Sequence, residues 1–134
     1  MKAKIWIVKE KGNVLIVTDD SGETAKMAAE IAGALKGKKI LIRIASEFRG
    51  NDILPAEAFF IGCEKPKPDS FAYLADVLEH INLAGRSCGI FSPCPEKAAK
   101  YLAALVHHSE ASLNPEPLSA GGDVKKWVQS VIAR

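Results

Sequence analysis

Residues 13–28 read Asn13-Val14-Leu15-Ile16-Val17-Thr18-Asp19-Asp20-Ser21-Gly22-Glu23-Thr24-Ala25-Lys26-Met27-Ala28. The stretch begins as an apolar run of strand length, passes through a hydroxyl-bearing turn with a glycine, and continues with helical period. A strand that enters a helix in this way leaves the first amides of the helix unpaired and pointing outward. A phosphate fits such amides, and Thr18, Ser21 and Thr24 would add hydroxyl donors. The stretch therefore predicts an α/β fold with a candidate anion site.

The same alternation of strand and helix continues along the chain. Apolar runs of strand length lie at about 14–18, 39–45, 58–62 and 87–91, with a short fifth run near 116–119. Helical periods lie near 23–36, 70–82, 95–109 and 123–133. This order predicts a parallel sheet covered by helices on both faces. The polar segment 48–55 predicts a helix that is reduced or absent between the second and third strands.

Each predicted helix carries one apolar stripe, which is the pattern of a helix packed on a sheet. The stripes consist of Met27, Ile31 and Leu35, then Phe71, Leu74, Leu78 and Ile81, then Tyr101, Leu102, Leu105 and Val106, and finally Val124, Trp127, Val128 and Val131. We expect these residues to form the core rather than to contact a cofactor.

The chain has 134 residues, of which 48% are hydrophobic, and this suffices for one globular domain with a continuous core. We place this domain at residues 13–134. Residues 1–12 contain an extra strand, Ala3-Lys4-Ile5-Trp6-Ile7-Val8, followed by a turn over Lys9–Asn13. We expect the extra strand to lie at a sheet edge or to form a self-association contact, so a homo-oligomer is one expected state.

Charge and composition argue against several classes of partner. Lys and Arg number 18 against 16 Asp and Glu, and the resulting net charge of +2 does not favour nucleic acid. No apolar run approaches the ~20 residues of a membrane span, and no secretory pattern is present, so we expect a cytoplasmic protein without membrane contact. Cys63, Cys88 and Cys94 have neither disulfide-framework nor zinc spacing. No metal site is predicted.

Several segments carry a resemblance to a known family. Ser21-Gly22-Glu23-Thr24 is similar to its phosphate loop, and Phe59-Phe60-Ile61-Gly62-Cys63 to its third strand. Leu83-Ala84-Gly85-Arg86 and Gly89-Ile90-Phe91-Ser92 are similar to the family's turn and fourth strand, and Val124 with Trp127 to its closing helix. Over residues 13–133 the chain resembles the flavodoxin-like family. The resemblance implies a three-layer α/β/α sandwich with a five-stranded parallel sheet of order 2-1-3-4-5.

The resemblance also implies FMN binding and electron transfer to or from a redox partner that the sequence does not identify. Ser21 and Thr24 would donate hydroxyl hydrogen bonds to the phosphate, and Gly22 and Glu23 backbone amides. The turns Cys63–Pro68 and Ser92–Pro95 would flank the flavin ring. The candidate cofactor-binding residues are Thr18, Asp19, Asp20, Ser21, Gly22, Glu23, Thr24, Cys63, Glu64, Ser92, Pro93 and Cys94.

Two features depart from the family pattern. Asp19 and Asp20 have the wrong charge for a phosphate: one unit-charge pair at 4 Å costs about 4 kcal/mol at an effective dielectric of 20, whereas the helix dipole contributes at most ~2 kcal/mol. Asp20 and Glu23 also have capping-box spacing, which would satisfy the helix amides internally. The second departure is that neither ring-flanking turn contains an aromatic residue. The nearest in sequence are Phe48, Tyr73 and Tyr101, of which Phe48 is placed to reach a ring edge and Tyr101 is expected on a buried helix face.

Cys63 and Cys94 follow neighbouring strands, so both thiols could face one cleft as a redox pair. The alternative is buried, unreactive cysteine. The Asp19-Asp20 pair also resembles response-regulator receivers. Residues 62–64 lack the receiver's aspartate and residues 115–119 lack its lysine, so at most a pseudo-receiver is expected.

Two functions therefore stay open. The first is a flavodoxin-like flavoprotein that binds FMN and transfers electrons. The second is a cofactor-free flavodoxin-like domain used for protein-protein interaction, in which the capping box replaces the phosphate and the strand around Trp6 provides a contact edge.

Overall fold

The computed structural model describes residues 10–133. Its elements are β1 (Glu10–Thr18), α1 (Gly22–Ala34), β2 (Lys39–Ile44), α2 (Gly50–Ile53), β3 (Ala56–Gly62), α3 (Ala72–His80), β4 (Ser87–Ser92), α4 (Pro95–Ser109), β5 (Ser112–Leu113), β6 (Leu118–Ser119) and α5 (Val124–Ile132). Short 3-10 helices at Ala45–Glu47 and Asp69–Phe71 precede α2 and α3. The single-turn α2 confirms the reduced helix expected between the second and third strands. Among the helices described, none is long and apolar enough to cross a membrane.

The strands form one parallel sheet in the order β2-β1-β3-β4-β5, and β6 pairs with β4 beyond the end of β5. In the centre, Leu15 of β1 lies between Leu41 of β2 and Phe59 of β3, and Phe59 lies beside Cys88 of β4. The predicted strand order and the α/β class are confirmed.

Alternate residues of the central strands face opposite helix layers, as the strand period of two requires. Leu15 and Val17 belong to the core cluster that contains residues of α3 and α4, whereas Val14 and Ile16 belong to the cluster with α1 and α5. The predicted apolar stripes lie in these two clusters, and only Ile81, Tyr101 and Val124 among them are half-buried rather than buried. The result is the predicted three-layer sandwich.

The first strand begins earlier than the sequence pattern suggests. Glu10 already pairs with Ala56, and an irregularity separates this pair from the regular pairing that starts at Val14. Gly12 has a φ of +92°, a conformation that glycine adopts without strain, so the backbone continues as a strand where a turn was predicted. The extra strand predicted at residues 3–8 and its self-association contact lie outside the described residues.

The fifth strand is divided into two short pieces. The predicted run at 116–119 overlaps only β6, while β5 lies at Ser112–Leu113. Pro115 and Pro117 stand between the pieces, and proline has no amide hydrogen to donate to a neighbouring strand. The chain therefore leaves the sheet at these prolines and returns to β4 at Leu118.

Candidate functional site

The candidate site lies at the carboxyl ends of β1, β3 and β4. Thr18 pairs with Gly62, Gly62 pairs with Phe91, and the amide of Asp19 donates to the carbonyl oxygen of Gly62 at 3.2 Å. The turns that follow these three strands are therefore neighbours. The sheet brings together the predicted phosphate loop and both predicted ring-flanking turns.

Asp19 connects the first two of these turns. Its side chain is only 5% exposed. One carboxylate oxygen, Oδ1, accepts a hydrogen bond from the amide of Ser21 at 3.2 Å, and Oδ2 accepts one from the amide of Glu64 at 2.9 Å. Hydrogen bonds to an ionised group are stronger than those between neutral groups. The amide of Ser21 in the predicted phosphate loop and the amide of Glu64 are thus paired with a carboxylate of the protein itself.

Ser21 is the N-cap of α1. Its Oγ accepts a hydrogen bond from the amide of Thr24 at 3.4 Å and donates one to Oε1 of Glu64 at 2.9 Å. The predicted capping box of Asp20 with Glu23 is wrong, because Ser21 takes the cap position and the other two side chains are exposed. We call Asp19, Ser21 and Glu64, with the hydrogen bonds that join them, the Asp19 cluster.

Three donors at the start of α1 remain without partners. Within residues 10–133, no acceptor is bonded to the amides of Gly22 and Glu23. The side chain of Thr24 is buried, and its Oγ1 has no hydrogen-bond partner there either. Thr18 is buried at the end of β1. The predicted donor set is therefore divided between donors used inside the protein and donors left free.

Cys63 lies inside the core next to the Asp19 cluster. Burial, and secondarily the charge of Asp19, raises the pKa of its thiol to about 12. The pKa of the neighbouring Tyr101 hydroxyl is also raised to about 12, first by burial and then by Cys63. At neutral pH Cys63 is a protonated, buried thiol, so the interpretation that it faces a cleft with Cys94 is wrong. All three cysteines are free.

The turn after β4 uses its own polar groups. The side chain of Ser92 is buried, and its Oγ accepts a hydrogen bond from the amide of Cys94 at 2.9 Å. Pro93 and Cys94 are half-buried, and α4 begins directly afterwards at Pro95. This hydroxyl and this amide stabilise the turn rather than remaining open to a ligand.

None of the three aromatic candidates is positioned to stack on a flavin ring. Phe48 is fully buried, with its ring centroid 5.9 Å from that of Tyr73, so the expectation that it reaches a ring edge is wrong. Tyr73 is 47% exposed, but its hydroxyl accepts a hydrogen bond from the amide of Gly50 at 3.2 Å, beside α2. Tyr101 is half-buried with its ring 6.3 Å from that of Phe71.

These residues do not fit FMN in the arrangement described. The buried carboxylate of Asp19 puts a negative charge into the predicted phosphate loop and occupies the amide of Ser21, and the turns at 63–68 and 92–95 contain no aromatic side chain. No group of three or more His, Cys, Asp or Glu side chains able to hold a metal ion occurs within residues 10–133.

The fold is nevertheless that of flavodoxins. The sequence matches no protein-family model and no curated protein. A flavodoxin from Streptococcus pneumoniae superposes with a TM-score of 0.74 at 16% identity, over 90% of this chain and 97% of that one. Flavodoxin 1 from Bacillus cereus gives 0.71 at 21% identity, over 90% and 94%. A flavodoxin from Fusobacterium nucleatum, solved bound to flavin mononucleotide, gives 0.70 at 12% identity, over 90% and 97%. The chain therefore has a flavodoxin-like fold.

Proposed function

We propose that this protein is a flavodoxin-like domain that works without resident FMN and acts through contacts with other proteins. The observation that carries the proposal is the buried carboxylate of Asp19, which accepts hydrogen bonds from the amides of Ser21 and Glu64. A cytoplasmic location belongs to the same proposal, because three free cysteines suit a reducing compartment.

The charge of Asp19 supports the proposal. A phosphate on the free amides of Gly22 and Glu23 would come close to this carboxylate, and two like charges 4 Å apart repel by about 4 kcal/mol at an effective dielectric of 20. Attraction of the phosphate to the helix dipole offsets at most ~2 kcal/mol of this repulsion. If the carboxylate moved away, the amides of Ser21 and Glu64 would lose their acceptors. Both routes oppose FMN binding.

The free edge of the sheet supports a role in protein contact. Among residues 10–133, β2 has a neighbouring strand on one side only. Ile42 and Ile44 on this strand are 44% and 36% exposed, whereas Ile40 on the same face packs against the core. Exposed apolar side chains on an open edge are typical of an interaction site.

The sequence of β2 suits pairing with a second copy. An antiparallel pair centred on Ile42 would place Ile40 opposite Ile44 and Leu41 opposite Arg43, with no two like charges directly opposite. Self-association through residues 3–8 is a separate prediction, and it concerns residues outside the described part of the chain.

A titration of the protein into FMN at low ionic strength, followed by flavin fluorescence, tests the first half of the proposal. We expect no saturable quenching at high protein concentration, while a flavodoxin in the same assay quenches. Saturable quenching would contradict the proposal.

Sedimentation velocity over a range of concentrations tests the second half. We expect reversible association that the I42K/I44K variant removes. The control is Y73K, which places a lysine at an exposed aromatic side chain away from β2. Association that survives in I42K/I44K would exclude β2 as the contact.

A second candidate function is weak FMN binding with electron transfer to an unidentified redox partner. Three donors that have no acceptor among residues 10–133 favour it: the amides of Gly22 and Glu23 and the buried Oγ1 of Thr24. The same FMN titration separates the two candidates, because only this one predicts saturation by the wild-type protein.

A further inference from the structure

We infer that Asp19 is an internal replacement for a bound anion, and that its removal converts the start of α1 into an anion site. This inference rests on the proposed function, since it explains how the fold dispenses with the phosphate group. It names one side chain as the cause and predicts the result of removing it.

The position of Asp19 supports the inference. The carboxylate gathers amides from two turns that are 43 residues apart in the chain, at Ser21 and at Glu64. A second link, from Ser21 Oγ to Glu64 Oε1, closes the Asp19 cluster. Ligands of open α/β sheets bind outside the carboxyl ends of the strands, and neighbouring backbone amides can bind an anion. Here the anion belongs to the protein.

Asp19 and Asp20 differ in burial and in hydrogen bonding. The side chain of Asp19 is buried and bonded on both oxygens, whereas that of Asp20 is exposed. The two substitutions change the net charge equally, but only one of them releases amides. Asp20 therefore provides a matched control for the charge of the loop.

Removing the Asp19 carboxylate would leave five donors at the start of α1 and the end of β3 without acceptors among residues 10–133. The amides of Ser21 and Glu64 would be released, and those of Gly22 and Glu23 are already without acceptors in residues 10–133. The fifth is Oγ1 of Thr24, a fully buried hydroxyl without a partner in the same residues. This orphaned hydroxyl is independent of the backbone geometry and itself indicates a place for an acceptor.

The test is calorimetric titration of inorganic phosphate into the wild type, D19S, D19N and D20S, each first checked for a cooperative thermal transition. We expect D19S to bind phosphate with a 1:1 stoichiometry at least about tenfold more tightly than the wild type, and D20S to match the wild type. D19N removes the charge at constant volume and should gain in the same direction if D19S fails to fold. Equal affinities in all four proteins, or an equal gain in D20S, would overturn the inference.

Amide hydrogen exchange on the wild type provides a check without any substitution. We expect the amides of Ser21 and Glu64 to exchange more slowly than those of Gly22 and Glu23, and equal rates would overturn the inference. A separate titration of FMN into the wild type keeps the two proposals distinguishable. Saturable FMN binding by the wild type contradicts the proposed function, whereas failure of D19S and D19N to gain phosphate affinity contradicts only the role of Asp19.

Discussion

Asp19 and Asn114 are two buried polar side chains that hold loops in different parts of the sheet, and they do so with different chemistry. Asp19 follows β1 in the centre of the sheet and is 5% exposed; Asn114 follows β5 at the edge and is 4% exposed. The ionised carboxylate of Asp19 can only accept hydrogen bonds, whereas the carboxamide of Asn114 both donates and accepts.

Asn114 joins the divided fifth strand to α5. Its Oδ1 accepts a hydrogen bond from the amide of Glu116 at 3.1 Å, and its Nδ2 donates to Ser130 Oγ at 2.8 Å. The hydroxyl of Ser130 donates to the carbonyl oxygen of Trp127, whose Nε1 donates to the carbonyl oxygen of Glu116 at 2.7 Å. We call these four residues the Asn114 cluster. Each donor in the Asn114 cluster bonds to an uncharged acceptor.

The difference indicates which cluster replaces a ligand. An acceptor-only anion suits the first turn of a helix, where several amides lack partners. A neutral group that donates and accepts suits a junction between a strand and a helix, where both kinds of backbone group need partners. We therefore expect substitutions in the Asn114 cluster to lower stability without changing anion affinity, and those at Asp19 to change both.

The largest effect is expected from W127A. The indole ring lies 5.5 Å from that of Phe60 and so close to Gly89 that a Cβ there would be 2.7 Å from Cη2 of the tryptophan. Truncation leaves a cavity and removes the hydrogen bond to Glu116, so we expect a loss of about 3–5 kcal/mol in the free energy of unfolding, measured in urea. W127F, which keeps a ring but lacks Nε1, should lose only about 1–2 kcal/mol. Equal losses would mean that the hydrogen bond dominates.

N114D should lower the free energy of unfolding by about 3 kcal/mol at neutral pH. A buried carboxylate would replace the NH2 group from which Ser130 Oγ accepts a hydrogen bond. The matched control is N82D, at an exposed residue whose Oδ1 accepts from the amide of Ala84, and it should change stability by less than about 0.5 kcal/mol. Urea denaturation of both variants at neutral and mildly acidic pH measures the effect, and we expect acid to reduce the loss in N114D. A loss that does not depend on pH would contradict the charge argument.

D19N should cost about 2 kcal/mol of stability, because both backbone amides lose a charged acceptor and one of them faces the NH2 group of the carboxamide instead. D20N should change stability by less than about 0.5 kcal/mol. A comparison of the two variants distinguishes the clusters more clearly. We expect D19N to gain phosphate affinity while it loses stability, and N114D to lose stability alone. Phosphate binding by N114D would remove the distinction between the two clusters.

Local patterns were sufficient to predict most of the fold. The apolar run at Val14–Val17 and the helical stripe from Met27 placed β1 and α1, and similar signals placed the other three long strands and helices. Pro115 and Pro117 are the sequence signal for the divided fifth strand, because neither has an amide hydrogen to donate to a neighbouring strand. The earlier start of β1 depends on its pairing with β3, which lies far away in sequence.

The candidate site was harder to predict for a physical reason. Asp20 and Ser21 both have suitable side chains for an N-cap, and sequence alone favoured Asp20 through its spacing to Glu23. Ser21 takes the N-cap position in the structure, and its hydroxyl also donates a hydrogen bond to Glu64, 43 residues further along the chain. The contact of Asn114 with α5 had no local signal either, because its partner Ser130 is 16 residues away.

Alkaline pH should weaken the region around the Asp19 cluster. The pKa of Cys63 is raised from 9.0 to about 12 in the folded protein, so its contribution to stability is complete below pH 9 and is lost as the pH rises towards 12. We expect the free energy of unfolding to fall as the pH rises over this range. Urea denaturation at several pH values should give a smaller slope for C63A. Burial also raises the pKa of Cys88 and of Tyr101, and both contribute to the slope that remains. An unchanged slope in C63A would mean that Cys63 is not buried as described.

The smallest effect is expected from S21A, and it tests whether the Asp19 cluster acts as a unit. Loss of the Ser21 hydroxyl removes the cap on the amide of Thr24 and the hydrogen bond to Glu64, so we expect stability to fall by about 1 kcal/mol. S21T keeps a hydroxyl and should restore most of the loss. Because Asp19 binds the backbone amide of residue 21 rather than its side chain, S21A should leave phosphate affinity at the wild-type level. A gain of affinity in S21A would show that the link to Glu64, and not the carboxylate of Asp19, keeps the anion site closed.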